Sequence, residues 1–340
     1  MYKWLHRMWY EGAPSYRLLL PLSGIYWFLI TLRRFLYQIG LFGRHKAAVP
    51  VIVVGNITTG GTGKTPVTIW LVNALRERGL AAGIVSRGYG GSRSSTSMRV
   101  DSASDPTVVG DEPVLLAQRT QCPVVVDANR ARAAQMLADD GVDVIVADDG
   151  LQHYRLERTY EICVIDGARG LGNRLLLPAG PLRETIDRLE EVDQILVNGK
   201  RHEESGDITV GEQNAIEFNL VASEVERLNG SLTRPIKRFS GTTVHGIAAI
   251  GNPARFFDML RAHGIQVIEH AFRDHAAISQ RDLEFGDDFD VLMTEKDAVK
   301  LGHVSSDKYW VVPVDMQIDA VVSGPWLEQI ESRLRSEMES

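Results

Sequence analysis

Val49-Pro50-Val51-Ile52-Val53-Val54-Gly55-Asn56-Ile57-Thr58-Thr59-Gly60-Gly61-Thr62-Gly63-Lys64-Thr65-Pro66 begins as a β-branched apolar run and ends in a glycine-rich loop, and a helical stretch follows from Pro66 to about Arg78. This order of strand, phosphate loop and helix is a supersecondary unit with its own chemistry. Thr58 to Thr65 fits the phosphate-loop pattern except that its first glycine position is Thr58. The setting compensates: successive backbone N–H groups of Thr58, Thr59, Gly60, Gly61, Thr62 and Gly63, and the helix N-terminus behind them, face an anion. Lys64 is placed to reach the β- and γ-phosphates of a nucleotide, and the Thr65 hydroxyl to ligate Mg²⁺.

Working outward, short apolar runs at 82–85, 124–126, 142–147, 162–165 and 194–197 alternate with helical stretches such as 114–121 and 130–140. Continuous apolarity, rather than alternation, marks strands buried on both faces of a mostly parallel sheet. The fold class expected is α/β, a doubly wound mostly parallel sheet of the P-loop kind with a second, smaller α/β domain and an N-terminal membrane-associated helix. The run 142–147 ends in Asp148-Asp149, where the metal-binding acid of a P-loop enzyme belongs, although paired acids also cap turns. Neighbouring strand residues point to opposite faces, so the choice between the two stays open. Neither Asn198-Gly199-Lys200 nor Thr294-Glu295-Lys296-Asp297 supplies the Asn-Lys-x-Asp of a guanine site, which favours ATP.

The segment before the loop has a different character. Residues 1–47 carry a net +6, from Lys3, Arg7, Arg17, Arg33, Arg34, Arg44 and Lys46 against Glu11, while the chain as a whole is −7. They also hold three of the six Trp and five of the nine Tyr. An apolar run of 15 residues, 18–32, is bracketed by Arg17 and Arg33-Arg34. It is shorter than the roughly 20 residues that span a bilayer as a helix. Cationic flanks and aromatic rings suit the headgroup zone, so the run is expected to lie in one leaflet. A buried core helix is the plain alternative, and a signal peptide is disfavoured because no small-x-small site follows. Cys122 and Cys163 lack metal-ligand spacing and read as core thiols of a reducing compartment.

The 340 residues suggest two α/β domains. Expected boundaries are a membrane-associating segment at 1–47, a P-loop domain at 48–205, a linker with short strands at 206–242, and a smaller domain at 243–340 that closes with a helix from Trp326 to Met338.

Several further strings occur in one order: Ser86-Arg87-Gly88-Tyr89-Gly90, Gly110-Asp111-Glu112-Pro113, Asp148-Asp149-Gly150-Leu151-Gln152-His153, Pro178-Ala179-Gly180-Pro181-Leu182-Arg183-Glu184, Asp274-His275 and Thr294-Glu295-Lys296-Asp297-Ala298. Together with the phosphate loop they resemble the tetraacyldisaccharide 4'-kinase family of lipid A biosynthesis, over nearly the whole chain. The resemblance implies transfer of the γ-phosphate of ATP, with Mg²⁺, to the 4'-hydroxyl of a tetraacyldisaccharide 1-phosphate. It implies an Asp–His pair at Asp111 and His275, with Asp111 receiving the hydroxyl proton. Arg183 and Gln152 fall on the nucleotide side, Glu184 joins Thr65, Asp148 and Asp149 on the metal side, and Arg130 lies toward the acceptor. Taken alone, Asp111 reads as a helix N-cap, His275 as a polar surface residue and Arg130 as a solvated helical Arg. Ala276 stands where many members carry a second His.

The expected partners are the lipid-linked disaccharide and the membrane surface at the inner leaflet, on the cytoplasmic face of a bacterial inner membrane, with no nucleic acid and no protein partner implied. Two rivals carry part of the pattern. A membrane-bound P-loop ATPase switch would place a Lys where Thr59 stands, and a soluble small-molecule kinase would use residues 18–32 as a core helix.

Overall fold

The computed structural model of the protein describes residues 2–89, 91, 96–200, 215–302, 304 and 306–339. Gly90 and residues 201–214, which include the expected join of the P-loop domain and the linker, lie outside the described residues.

Helices α1 (Tyr2–Tyr10) and α2 (Leu20–Gln38) precede the first sheet. Its strands are β1 (Val51–Gly55), β2 (Ala82–Ser86), β3 (Met98–Val100), β4 (Val124–Val126), β5 (Val144–Asp148), β6 (Tyr160–Asp166), β7 (Gln194–Asn198) and β8 (Ile216–Val221). Helices α3 (Lys64–Glu77), α4 (Pro106–Val109), α5 (Asp111–Thr120) and α6 (Arg130–Asp139) connect them. A second sheet uses β9 (Glu224–Arg227), β10 (Thr233–Pro235), β11 (Thr243–Ala248), β12 (Gln266–Ala271), β13 (Asp290–Thr294) and β14 (Tyr309–Val312), with α7 (Pro253–Ala262) and α8 (Glu295–Ala298). The chain then returns to the first sheet as β15 (Asp315–Gln317) and ends in α9 (Ala320–Met338).

The first sheet runs β15-β8-β7-β6-β1-β5-β2-β4-β3 and the second β10-β9-β14-β13-β11-β12. In the first, β8 through β4 pair in parallel and only the edges, β15 with β8 and β3 with β4, are antiparallel. The apolar runs are continuous because both faces are covered. Ile52 and Val54 of β1 face a core shared with α3, α5 and α9, while Val51 and Val53 face one shared with α6.

The expected domain limits are redrawn at two places. In its described part the expected linker supplies β8 to the first sheet and β9 and β10 to the second. The expected smaller domain, 243–340, keeps only the residues up to β14, and the second unit is an insertion between β8 and β15. The reason is packing: the closing helix starts at Ala320 and buries Trp326, Leu327, Ile330 and Leu334 on the first sheet. Trp326 stacks on Trp70 at 5.5 Å and donates through Nε1 to the Tyr160 hydroxyl at 3.2 Å. Both cysteines are buried and free, and burial pushes the Cys163 thiol up to about 12.

Candidate active site

Strand β1 delivers residues 56–63 to the N-terminus of α3, whose first residue is Lys64. Gly60 and Gly63 turn the loop with φ of +101° and +99°, which only glycine adopts readily. Thr58 has no such φ. It pairs as an isolated bridge with Leu182, and the Thr59 N–H donates to the Pro181 carbonyl at 2.9 Å, so a side chain at position 58 meets no backbone penalty. Asn198 Nδ2 braces the far side by donating to the Thr62 carbonyl at 3.0 Å. Lys64 Nζ donates to Asn56 Oδ1 at 3.3 Å and lies 3.5 Å from Asp149.

At the end of β5 the two carboxylates part. Asp148 is buried and accepts from Thr68 Oγ1 at 3.3 Å, on the face of α3 that also carries Thr65. Asp149, with φ +47°, turns toward Arg183 Nη1 at 3.2 and 3.3 Å. Burial, then the charges of Glu112 and Asp149, push Asp148 up to about 7. Burial acts the same way on Asp149, but Lys64 and Arg183 outweigh it and hold that carboxyl at about 2. One acid is thus fixed as an anion beside another whose burial and acidic neighbours outweigh the nearby charges of Lys64 and Arg130, the condition a divalent cation relieves.

Arg130, the first residue of α6, is 3% exposed and donates through Nη2 to the Asp148 carbonyl at 3.0 Å. Burial lowers its guanidinium to about 10, against the pull of Asp148 and Asp149. Its Nε and Nη1, the Thr59 and Thr62 hydroxyls and Asn56 Nδ2 are buried without partners. Buried donors are nearly always paired, so this group around one loop fits an anionic ligand that the loop was built to receive. Among the described residues no three His, Cys, Asp or Glu side chains converge as a metal cage.

The Asp–His pair spans the two sheets. Asp111 is the first residue of α5, behind a Gly110 N-cap with φ +95°. Its carboxylate accepts from the Glu112 N–H at 2.9 Å and otherwise faces His275 Nδ1, at 3.0 and 3.1 Å. It does not cap the helix in the usual way, by accepting from a backbone N–H two or three residues on. His275 follows β12 with φ +59° and has the Tyr89 ring edge-on at 4.8 Å. Burial alone would raise Asp111, but the His275 hydrogen bond and the charges of Lys296 and Lys300 hold it below the usual carboxylate range. The neighbouring Glu112 lies close enough to raise Asp148, so the pair borders the acidic strand end.

The family model described as tetraacyldisaccharide-1-P 4'-kinase matches residues 15–334. The chain belongs to this kinase family. It is 43% identical to the tetraacyldisaccharide 4'-kinase of Nitrosococcus oceani over 333 residues, 98% of this chain and 96% of that one. It is 45% identical to the enzyme of that name from Methylobacillus flagellatus over 340 residues, covering 99% and 97%. A crystal structure of the "apo" form of LpxK from Aquifex aeolicus in complex with ATP superposes with a TM-score of 0.73 at 26% identity, covering 95% of this chain and 99% of that one. As a member of the family the chain is an ATP-dependent kinase of lipid A biosynthesis.

Within this kinase the remaining family strings form one hydrogen-bonded wall. Gln152 Nε2 donates to the Asn56 carbonyl at 3.0 Å and to Glu184 at 2.7 Å, and Arg183 Nη1 reaches Gln152 Oε1 at 3.4 Å. Glu184 also accepts from the Tyr154 hydroxyl at 2.5 Å and pairs with Arg188 at 3.4 Å. Helix α2 is fastened to the same wall. Ser23 Oγ donates to the Leu176 carbonyl at 2.9 Å, the Tyr26 hydroxyl to the Arg183 carbonyl at 2.9 Å, and Arg33 to the Gln152 carbonyl at 3.1 Å. Its other face exposes Leu22, Ile25, Phe28, Leu29, Leu32 and Phe35, and Leu18 just before the helix is exposed as well. The run 14–38 is long and apolar enough to cross a membrane.

Sequence reasoning met Asn198 and Lys296 only inside longer strings and gave no site role to Asn56, Asn198, Lys296 or Lys300. Lys296 and Lys300 were within reach, since the Thr294-Glu295-Lys296-Asp297 string follows an apolar strand. Asn56 and Asn198 carry no local signal, because their partners are backbone groups or side chains brought close only by the fold.

Proposed function

We propose that this chain transfers the γ-phosphoryl of ATP to the 4'-hydroxyl of a tetraacyldisaccharide 1-phosphate, with Asp111 taking the hydroxyl proton and His275 orienting it. The observation that supports this most directly is the Asp111–His275 contact beside the acids of β5, joining the start of α5 to the loop after β12, 164 residues apart in sequence. The 4'-oxygen attacks the γ-phosphorus, the bond from that phosphorus to the β,γ-bridging oxygen breaks, ADP leaves, and the proton passes to Asp111. A loose transition state releases the proton late and needs little basicity, which suits a carboxylate held below its usual range.

Lys64 and Arg183 neutralise charge on the β- and γ-phosphates, and Arg130, buried with two unpartnered nitrogens, faces the transferred group on the acceptor side. Thr65, Asp148 and Asp149 would hold Mg²⁺, with Glu184 at its edge through Gln152, and the ion would supply neutralisation of charge developing on the phosphates. The loop residues Thr58 to Gly63 cradle the phosphates with their N–H groups.

Helix α2 lies in one leaflet at the cytoplasmic face rather than crossing. Its bonds to the body at Ser23, Tyr26 and Arg33 fall on one side, leaving the apolar side for lipid. Each large apolar side chain buried in lipid contributes about 1.5–3 kcal/mol. Phe28→Asp with Leu29→Asp is therefore expected to weaken liposome association at least ~100-fold, read by co-flotation at physiological salt. Undiminished co-flotation of the double variant would remove the helix from the membrane contact.

The function is tested by incubating the chain with γ-labelled ATP and the disaccharide 1-phosphate in mixed micelles. Label is expected in the lipid, at the 4'-position. ATP hydrolysis with no label in lipid would point instead to a membrane-bound ATPase switch.

A further inference from the structure

Lys296 belongs to a string that the mechanism above does not use, yet its ammonium sits between the two units against the proposed base pair. Its Nζ lies 3.0 Å from Glu112 Oε1, 3.1 Å from Asp274 Oδ1 and 3.1 Å from His275 Nε2. A lysine ammonium has three hydrogens and no lone pair, so these three contacts use all it can donate. We infer that Lys296 is a positioning residue: by donating to Nε2 it fixes His275 as the Nδ1–H tautomer, which in turn donates to Asp111, and by donating to Glu112 it locks this arrangement across the two units. The inference rests on the reading of Asp111 as the base.

The imidazole has three forms to choose from, and the lysine excludes two. With the proton on Nε2, an N–H would face the ammonium and a lone pair would face the Asp111 carboxylate, two repulsive contacts at hydrogen-bond distance. With both nitrogens protonated, two cations would stand 3.1 Å apart, donor against donor. Only Nδ1–H satisfies both neighbours. Lys296 itself stays charged, because Glu112, Asp274 and Asp111 together outweigh the opposing effect of burial and raise it.

The charged and titratable groups around the ring come from every element packed on it. Asp111 and Glu112 lie on α5, Tyr89 follows β2, Asp274 precedes the histidine, and Lys296 and Lys300 lie on and just after α8. Lys300 stands 3.5 Å from Asp111 and 2.9 Å from Asp297. Asp297 in turn accepts from the Ala249 N–H at 2.8 Å, and the Ala249 carbonyl accepts from the His275 N–H at 3.3 Å. The Thr-Glu-Lys-Asp string thus holds the histidine by ring and backbone at once.

The test combines ring-nitrogen NMR with kinetics on the full chain. In ¹⁵N-histidine-labelled protein, with His275 assigned by its loss in His275→Gln, the wild type is expected to show a protonated Nδ1 and an unprotonated Nε2. Lys296→Met is expected to shift the ring toward the doubly protonated form, because Asp111 still holds the proton on Nδ1 while Nε2 no longer faces a cation. It should lower kcat about 10–100-fold, the range for groups that orient a reacting residue, with KM for both substrates within about threefold. The acid limb of kcat/KM should move to higher pH, because Lys296 is one of the groups that depress Asp111. Lys296→Arg, which keeps donors, should recover most of the rate. A wild-type Nε2–H tautomer overturns the inference whatever the variants do, as does a Lys296→Met ring spectrum identical to wild type. Full activity in Asp111→Asn would instead overturn the base assignment and leave the tautomer to be read from the spectrum.

Discussion

Asp111→Asn is expected to lower lipid phosphorylation by about 10³-fold while ATP binding stays within a factor of two or so, a loss in the range for removing a general base. The substitution keeps the shape of the side chain and removes only the site for the proton. The surrounding cations retain partners, Lys296 on Glu112 and Asp274 and Lys300 on Asp297, so the local fold has no reason to collapse. Because the folded chain holds the Asp111 carboxyl below its usual value, its charge is fully present above the usual carboxylate range. Charge and the stability linked to it are lost as pH falls through the lowered value. Activity of the wild type should accordingly show no inflection from this group near neutrality. An Asn variant that keeps a tenth or more of the rate would mean that the proton leaves by another route.

Gly63→Ala should be the most damaging small change on the nucleotide side. At φ +99° an L-residue is strained, and the added Cβ would stand 2.6 Å from Asn198 Nδ2, the amide that braces the Thr62 carbonyl. Relief requires the loop or the brace to move, and the loop N–H groups then lose their aim at the phosphates. We expect ATP affinity to fall about 10–100-fold, consistent with the roughly 1–3 kcal/mol that such strain carries. Gly79→Ala is the control. Its φ is +83°, but a Cβ there meets nothing within 4 Å and it follows the far end of α3, so it should lower the melting temperature and leave KM for ATP unchanged. Equal effects of the two on ATP binding would show that the Asn198 collision is unimportant.

The strand, loop and helix around Lys64 were legible because their signals are local: continuous apolarity marks burial on two faces, and glycines mark turns that side chains forbid. Thr58 looked like a defect until its bridge to Leu182 showed that this position never needed glycine. The return of β15 and α9 to the first sheet was not legible, since an amphipathic helix reads the same whichever core it covers. Arg130 illustrates the limit from the other side. In isolation it has the pattern of a solvated helical arginine, and only the fold buries it against the Asp148 carbonyl. Likewise the left-handed backbone at Asp149 and His275 is invisible in composition, and both residues lie where strain is held in place by surrounding bonds.

The fastening of α2 to the Leu176–Arg183 stretch and to Gln152 ties the helix proposed to face lipid to the wall behind the phosphate loop. On that proposal the enzyme would work at a fixed height above the bilayer and search for its acceptor in two dimensions. Its saturation should follow the mole fraction of acceptor in the lipid surface, not the bulk concentration, so diluting the acceptor with inert lipid at constant total acceptor should slow turnover.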